Sequence, residues 1–106
     1  MAIMSDECYK IIRDGKPLND EDRSTIKEQI KVFEEGLKIH NKDKEHYDNT
    51  PHWQYDYLDF EYQTFMAENV EIELEVLKKV IKNNNKGNLF KELNDNIEKL
   101  NSCYYG

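Results

Sequence analysis

The run of residues 53–82 constrains the fold of this chain most strongly, because it contains neither Gly nor Pro. At about 100° per residue, most of its apolar side chains fall on one broad arc and most of its charged side chains fall opposite. This pattern predicts a long amphipathic helix with a wide buried face. The arc comprises Leu58, Tyr62, Phe65, Met66, Val70, Ile72, Val76, Leu77, Val80 and Ile81.

The same run also supports an alternative, because parts of it alternate strictly. Residues 70–76 alternate between apolar and acidic side chains, and residues 53–57 alternate between aromatic and polar ones. A β-hairpin pairing 53–64 with 69–80 would satisfy this period and give an α+β domain. The intervening residues 65–68 are helix formers rather than turn formers. The pair Lys78-Lys79 also breaks the alternation, so the helix is favoured.

Three further helices are predicted from end signals. Ser5 can cap a short helix over 5–14, which Gly15 can end. Asn19 or Asp20 can cap a second helix over 20–46. A break at 83–88, with Gly87 as its left-handed residue, precedes a final helix over 88–102. We therefore expect a single domain over 1–106, mainly α, folded as a small bundle of three or four helices around one long central helix.

The second helix carries an apolar stripe at spacings of three and four. Val32 and Ile39 lie about 100° to one side of this stripe, so we expect the helix to contact two neighbours. His40 ends the stripe, and its position is typical of a core or boundary histidine. The stripe comprises Ile26, Ile30, Phe33, Leu37 and His40.

Two polar residues interrupt the apolar arc of the central run. Glu73 falls in its middle, and Asn69 lies one helical turn earlier. Because an unpaired buried carboxylate is costly, we expect Glu73 to have a buried partner. A lysine or tyrosine of another helix is the expected partner.

Charge and composition narrow the classes of function. A net charge of −7 argues against direct nucleic-acid or anionic-membrane binding and favours a basic protein surface as partner. Cys8 and Cys103 are expected to be reduced thiols, because nothing like a signal peptide precedes them. No apolar run approaches the roughly 20 residues that span a bilayer. A cytoplasmic protein is therefore expected, and no cofactor is implied.

The first half of the central run interleaves aromatic and acidic residues, which a buried core does not require. By helical phase, Tyr57 and Phe60 project onto the otherwise polar side. Exposed aromatic rings beside carboxylates suit an arginine-rich partner, through cation–π contacts and charged hydrogen bonds. Packing of the N-terminal helix over both rings is the alternative. The predicted partner-binding residues are Trp53, Asp56, Tyr57, Asp59, Phe60 and Glu61.

In size, charge and helicity the chain resembles small acidic inhibitors, among them phage anti-CRISPR and other anti-defence proteins. This resemblance implies a non-enzymatic protein that blocks a basic, nucleic-acid-binding effector. Heavy use of Lys, Asn and Ile with little Arg suggests an AT-rich coding sequence, as in low-GC bacteria and their phages. A bacteriocin or toxin immunity protein, an antitoxin and a homodimeric scaffold are the alternatives.

An enzymatic alternative is carried by acids spaced one helical turn apart. Glu68-x-x-Glu71 and Glu92-x-x-Asp95 are similar to the metal-binding acids of the all-α nucleotide pyrophosphatases, the MazG and dUTPase-like family. That resemblance implies Mg²⁺ held by paired carboxylates and a nucleotide substrate. Elsewhere the chain has no Ser/His/Asp order, phosphate loop or zinc-finger spacing. No catalytic or metal-binding residue is therefore predicted with the favoured function.

Overall fold

The computed structural model describes the backbone of residues 3–48 and 57–105, and the side chains of 3–42 and 64–103. Within these limits it holds four α-helices and no strand. They are α1 (Asp6–Asp14), α2 (Asp20–Asp48), α3 (Tyr57–Lys82) and α4 (Leu89–Tyr105). The predicted mainly α bundle with a long central helix is confirmed. The alternative hairpin is wrong, because residues 57–80 are continuous helix.

Local side chains determine where the first two helices begin. The Ser5 hydroxyl accepts the Cys8 N–H, and Gly15 ends α1 with a left-handed φ of 64°. Asn19 caps α2: its Oδ1 accepts the Asp22 N–H at 2.7 Å, and its own N–H donates to Asp22 Oδ2. These reciprocal bonds satisfy N–H groups that a helix start leaves unpaired.

The four helices form an elongated molecule, 50 × 29 × 19 Å, with α3 at its centre. α2 packs antiparallel to α3, α4 packs along the other side of α3, and α1 lies against α2 and α4. Tyr9 of α1 and Phe90 of α4 meet edge to face, with ring centroids 5.4 Å apart. The buried core comprises Met4, Cys8, Ile12, Leu18, Ile26, Phe33, Leu74, Val76, Leu77, Val80, Leu89, Leu93 and Ile97.

The predicted stripe of α2 faces the core, and α2 contacts two neighbours, α3 and α1, as expected. Its apolar residues to one side of the stripe are nevertheless exposed. Ile26 and Phe33 are buried, whereas Val32 is 52 % exposed and Ile39 is 63 % exposed. α1 lies on this side of α2, but its start is already level with Gln29, whose Oε1 accepts the Ser5 N–H. Beyond that point no described element covers the side of α2 that carries Val32 and Ile39.

The connection between α3 and α4 forms hydrogen bonds to α1 and to the connection that follows α1. Asn84 and Asn85 both adopt left-handed backbone conformations, with φ of 52° and 62°. Asn85 is buried, and its Nδ2 donates to the carbonyl oxygens of Ile11 and Lys16, each at 2.9 Å. The predicted break between the two helices is confirmed here, and Gly87 is left-handed as predicted, with a φ of 91°. We call the two hydrogen bonds of the Asn85 side chain the Asn85 clip; no local sequence pattern predicts them.

Candidate protein-binding surface

The outward face of α3 is acidic. Glu71 and Glu75 are exposed and Glu68 is half-buried. Their spacings of three and four place them on one stripe along the helix. Lys78 follows on the same side and ends the acidic stripe toward the C-terminus of α3. The other sides of α3 contact α2 and α4.

Positive charge is missing from a long segment around this stripe. Between Lys44 and Lys78 the chain has no Lys or Arg, so only the carboxylates nearest its ends, such as Glu75 beside Lys79, have a cationic neighbour in the sequence. Ion pairs join Arg13 to Asp14, Lys79 to Glu92 and Lys91 to Asp95, and none of these includes Glu71 or Glu75. The acidic residues of the segment are Glu45, Asp48, Asp56, Asp59, Glu61, Glu68, Glu71, Glu73 and Glu75.

Four of the six residues predicted to bind a partner lie at the N-terminal end of the same helix. Trp53 and Asp56 fall outside the described residues. The backbones of Tyr57, Asp59, Phe60 and Glu61 belong to the first turns of α3, but their side chains are outside the described set. Helical spacing alone puts positions 57 and 61 in phase with Glu68 and Glu75. Their assignment as contact residues stays a prediction.

Glu73 is buried, as predicted, but its predicted partner is wrong. No lysine or tyrosine binds it among the described residues. Instead its carboxylate accepts backbone N–H groups from the N-terminal segment. The Ile3 N–H lies 2.9 and 2.8 Å from the two oxygens, and the Met4 N–H lies 2.7 Å from Oε1. The N–H groups just before α1 are unpaired within their own segment, so a carboxylate can satisfy them.

Burial also changes the acidity of this carboxyl. Removal from water raises the pKa of Glu73, and the hydrogen bonds from Ile3 and Met4 oppose that shift without cancelling it. The charged form is therefore harder to keep in the fold than in water. These hydrogen bonds join the N-terminal segment to α3, and the Glu73 side of the contact is 0 % exposed.

A second surface feature is a small apolar groove between α2 and α3. Gly36 and Val32 border it on α2, and Met66 and Val70 border it on α3, enclosing about 250 Å³. A methyl group added at Gly36 would meet no atom within 4 Å, so neither packing nor backbone geometry requires glycine there. Sequence analysis did not single out Gly36. An isolated glycine inside a helical pattern is the signal that could have identified it.

The acids that resemble a nucleotide pyrophosphatase are not gathered into one group. Glu92 binds Lys79 on α3, and Asp95 binds Lys91 within α4. Glu71 is exposed on the outward face of α3. In the part of the chain whose side chains are described, no three His, Cys, Asp or Glu residues are placed to hold one metal ion.

The two cysteines are unpaired and lie in different surroundings. Cys8 is buried and Cys103 is exposed. Burial raises the pKa of the Cys8 thiol, and the hydroxyl of Ser5 only partly offsets the effect. Its Sγ lies 3.8 Å from the Thr25 carbonyl oxygen, so it acts as a small core side chain between α1 and α2.

None of the described helices is long and apolar enough to cross a bilayer. Comparison with known proteins adds no assignment: no family model, curated protein or solved structure has significant similarity to this chain. Any functional argument therefore depends on the residues themselves.

Proposed function

We propose that this chain is a non-enzymatic inhibitor that docks the outward face of α3 on a basic surface of a partner protein and blocks it. The observation that carries the proposal is the exposed acidic stripe of Glu71 and Glu75, within a segment that lacks Lys and Arg. Neither carboxylate belongs to one of the ion pairs described above, so both are available to a partner. Their common sign selects a partner of opposite charge and speeds its approach.

The aromatic residues of the stretch 53–61 supply the second part of this interface. Charge alone steers association but gives little lasting affinity, whereas buried aromatic rings are frequent anchors in interfaces. In this proposal Trp53, Tyr57 and Phe60 fill hollows on the partner, while Asp56, Asp59 and Glu61 bind its Lys or Arg side chains. A nucleic-acid-binding effector is the favoured partner, because such proteins present basic surfaces of this kind.

The proposal includes a biological setting, that of a phage or mobile element whose product disables a host defence protein in the cytoplasm. A toxin immunity protein or antitoxin would use the same physics on another basic partner. The partner can be sought by affinity capture from a lysate of a low-GC bacterium containing its CRISPR and restriction proteins. Loss of the captured protein's activity on addition of this chain is the expected result.

Binding kinetics with the captured partner test the proposed surface. Charge reversal by Glu71→Lys with Glu75→Lys, or by Asp56→Lys with Asp59→Lys, should reduce the association rate, and added salt should reduce it as well. Attraction between exposed charges is screened over about 8 Å at physiological ionic strength. Tyr57→Ala or Phe60→Ala should instead increase the dissociation rate.

Glu98→Lys is the matched control, because Glu98 is an exposed acid on α4 and the change in net charge per residue is the same. It should leave the rates near those of the unmodified chain. A partner indifferent to salt and to all six substituted positions would refute the proposal. Metal-dependent hydrolysis of a nucleoside triphosphate, abolished by Glu71→Gln or Asp95→Asn, would replace it with the enzymatic alternative.

A further inference from the structure

The groove beside Gly36 is an open continuation of the path that α1 follows. The N-terminal segment enters between α2 and α3, where Ile3 binds Glu73, and Ser5 binds Gln29. Farther along the same helix pair, no described element covers the groove between Val32 and Val70. At about 250 Å³ it is smaller than most small-molecule pockets, which enclose roughly 300–1,000 Å³. Its size suits one or two apolar side chains.

Two observations indicate that this groove is left open for contact rather than being a packing fault. Gly36 is a poor helix former in the interior of a helix, and nothing within 4 Å would obstruct a larger residue. Val32 and Ile39, which flank Gly36 on α2, are large apolar residues that remain more than half exposed. Together they present an apolar strip with a recess at its centre.

An acidic hollow adjoins the groove and indicates the charge of its occupant. Val32 borders both, and the hollow lies between the start of α1 and α2, with a volume of about 420 Å³. Two carboxylates, Glu7 and Glu28, line it, and no Lys or Arg does. The remaining lining residues are Ser5, Ser24, Thr25, Gln29 and Val32.

We propose that the groove and the adjoining hollow form a second docking site, which takes an amphipathic segment of a basic protein. An apolar side chain of that segment enters beside Gly36, between Val32 and Val70. A Lys or Arg about two helical turns away binds Glu28 and Glu7, because Glu28 precedes Gly36 by eight residues on α2. Burial of the apolar side chain in the recess slows dissociation, and the carboxylates select a cationic segment over an anionic one.

This site is distinct from the outward face of α3. Val70 and Glu75 are five residues apart, which places them about 140° from each other around the helix. A partner could therefore contact both surfaces only by wrapping around α3. The second site does not depend on the function proposed above, and the two can fail separately.

A synthetic amphipathic helix of Leu and Lys serves as the probe. Titrated into the ¹⁵N-labelled chain, it should shift the amide signals of Val32, Gly36, His40 and Val70. A Leu/Glu peptide of the same pattern should not bind, because the hollow is acidic. A Ser/Lys peptide with the same charge should bind at least about tenfold more weakly, because it lacks the apolar anchor.

Variants of the chain locate the contact. Gly36→Leu fills the recess and should weaken binding of the Leu/Lys peptide about tenfold or more, the effect of losing an anchor. Val32→Ser is a second variant at an exposed position, in case the first disturbs α2; it removes apolar surface without changing the charge of the hollow. Glu28→Lys should weaken binding and reduce its salt dependence. Glu98→Lys, with the same charge change on α4, is the control for non-specific attraction.

Three results would overturn this second site. In the first, the peptide shifts only signals around Glu71 and Glu75, or binds the Gly36→Leu and Val32→Ser variants as tightly as the original chain. In the second, the Ser/Lys peptide binds as tightly as the Leu/Lys peptide. In the third, the same amide signals shift with concentration of the chain alone, with a matching rise in mass by sedimentation, which would make a second copy the occupant. Failure of the charge-reversal variants on α3 would bear only on the outward face.

Discussion

Glu73 of α3 binds the backbone of Met4, which lies 69 positions earlier in the chain, with Oε1 2.7 Å from the amide nitrogen. The bond joins the segment before α1 directly to the central helix. It also places a carboxylate at a fully buried position, where most helices carry an apolar residue. The fold therefore depends on a polar contact at the point where its N-terminal segment enters the core.

Removal of the Glu73 carboxylate should loosen this segment. Glu73→Ala should lower the free energy of unfolding by roughly 1–3 kcal/mol, because the N–H groups of Ile3 and Met4 lose their acceptor. Urea denaturation measures the loss, and hydrogen exchange at the Ile3 and Met4 amides should accelerate. Glu71→Ala, on the exposed side of the same helix, should change stability by less than about 0.5 kcal/mol. Equal effects of the two substitutions would contradict the assigned contact.

The raised pKa of Glu73 predicts how stability changes with pH. The folded state holds the Glu73 proton more tightly than the unfolded chain does. The protonated carboxyl therefore contributes fully to the free energy of unfolding below the ordinary carboxyl pKa of 4.5. This contribution should decline as pH rises from there toward the raised folded pKa. Glu73→Gln cannot titrate, so the unfolding free energy of the original chain, minus that of the variant, should fall across this window. A difference that rises with pH would mean that the folded pKa is lowered instead.

The Asn85 clip can be separated into its backbone and side-chain parts. Asn85→Ala loses two hydrogen bonds and also places alanine, which tolerates the left-handed region less well than asparagine, at φ 62°, so it should cost about 2–4 kcal/mol. Asn85→Gly loses the bonds but tolerates the conformation, and should cost about 1 kcal/mol less. Asn83→Ala, at an exposed position of the same turn, is the control. Thermal or urea unfolding measures all three, and equal losses for the Ala and Gly variants would exclude the backbone contribution.

Gly36 offers a test in the opposite direction. Gly36→Ala should raise the free energy of unfolding by about 0.5–1 kcal/mol, because alanine favours the helix and meets no obstacle. Gly87→Ala should lower it, because Gly87 has a φ of 91° that alanine rarely adopts. Both effects can be measured by chemical denaturation. A destabilised Gly36→Ala variant would mean that the groove has less room than the structure describes.

Local patterns were sufficient to predict the helices. Ser5 and Gly15 marked the ends of α1 through capping geometry, which involves only residues close in sequence. The wide apolar arc likewise identified α3 in spite of the alternation in residues 70–76. The same arc correctly placed Glu73 inside the core, because helical phase depends on spacing alone.

Contacts between distant segments could not be predicted in the same way. The partner of Glu73 is a pair of backbone N–H groups, which every non-proline residue carries, so no residue type marks it. Val32 and Ile39 are exposed because α1 begins level with Gln29 and does not cover them, whereas their hydrophobicity alone favours burial. Asn85 was recognised as part of a turn, but its bonds to Ile11 and Lys16 depend on the packing of α1. The binding surface is predicted from charge and aromatic content, and only binding measurements with a partner protein can test it.

The contact between Glu73 and the N-terminal segment has a consequence for synthesis of the chain. The acceptor of the Ile3 and Met4 N–H groups is synthesised about seventy residues after them, roughly 4–14 s later at ordinary elongation rates. The Asn85 clip on the loop after α1 arrives later still. Nascent α1 can contact α2 before then, but the segment that precedes α1 has no contact with Glu73 until α3 has been synthesised. Truncated chains released before Glu73 should expose the apolar side chains of Met4, Cys8 and Ile12 to the quality-control machinery of the cell.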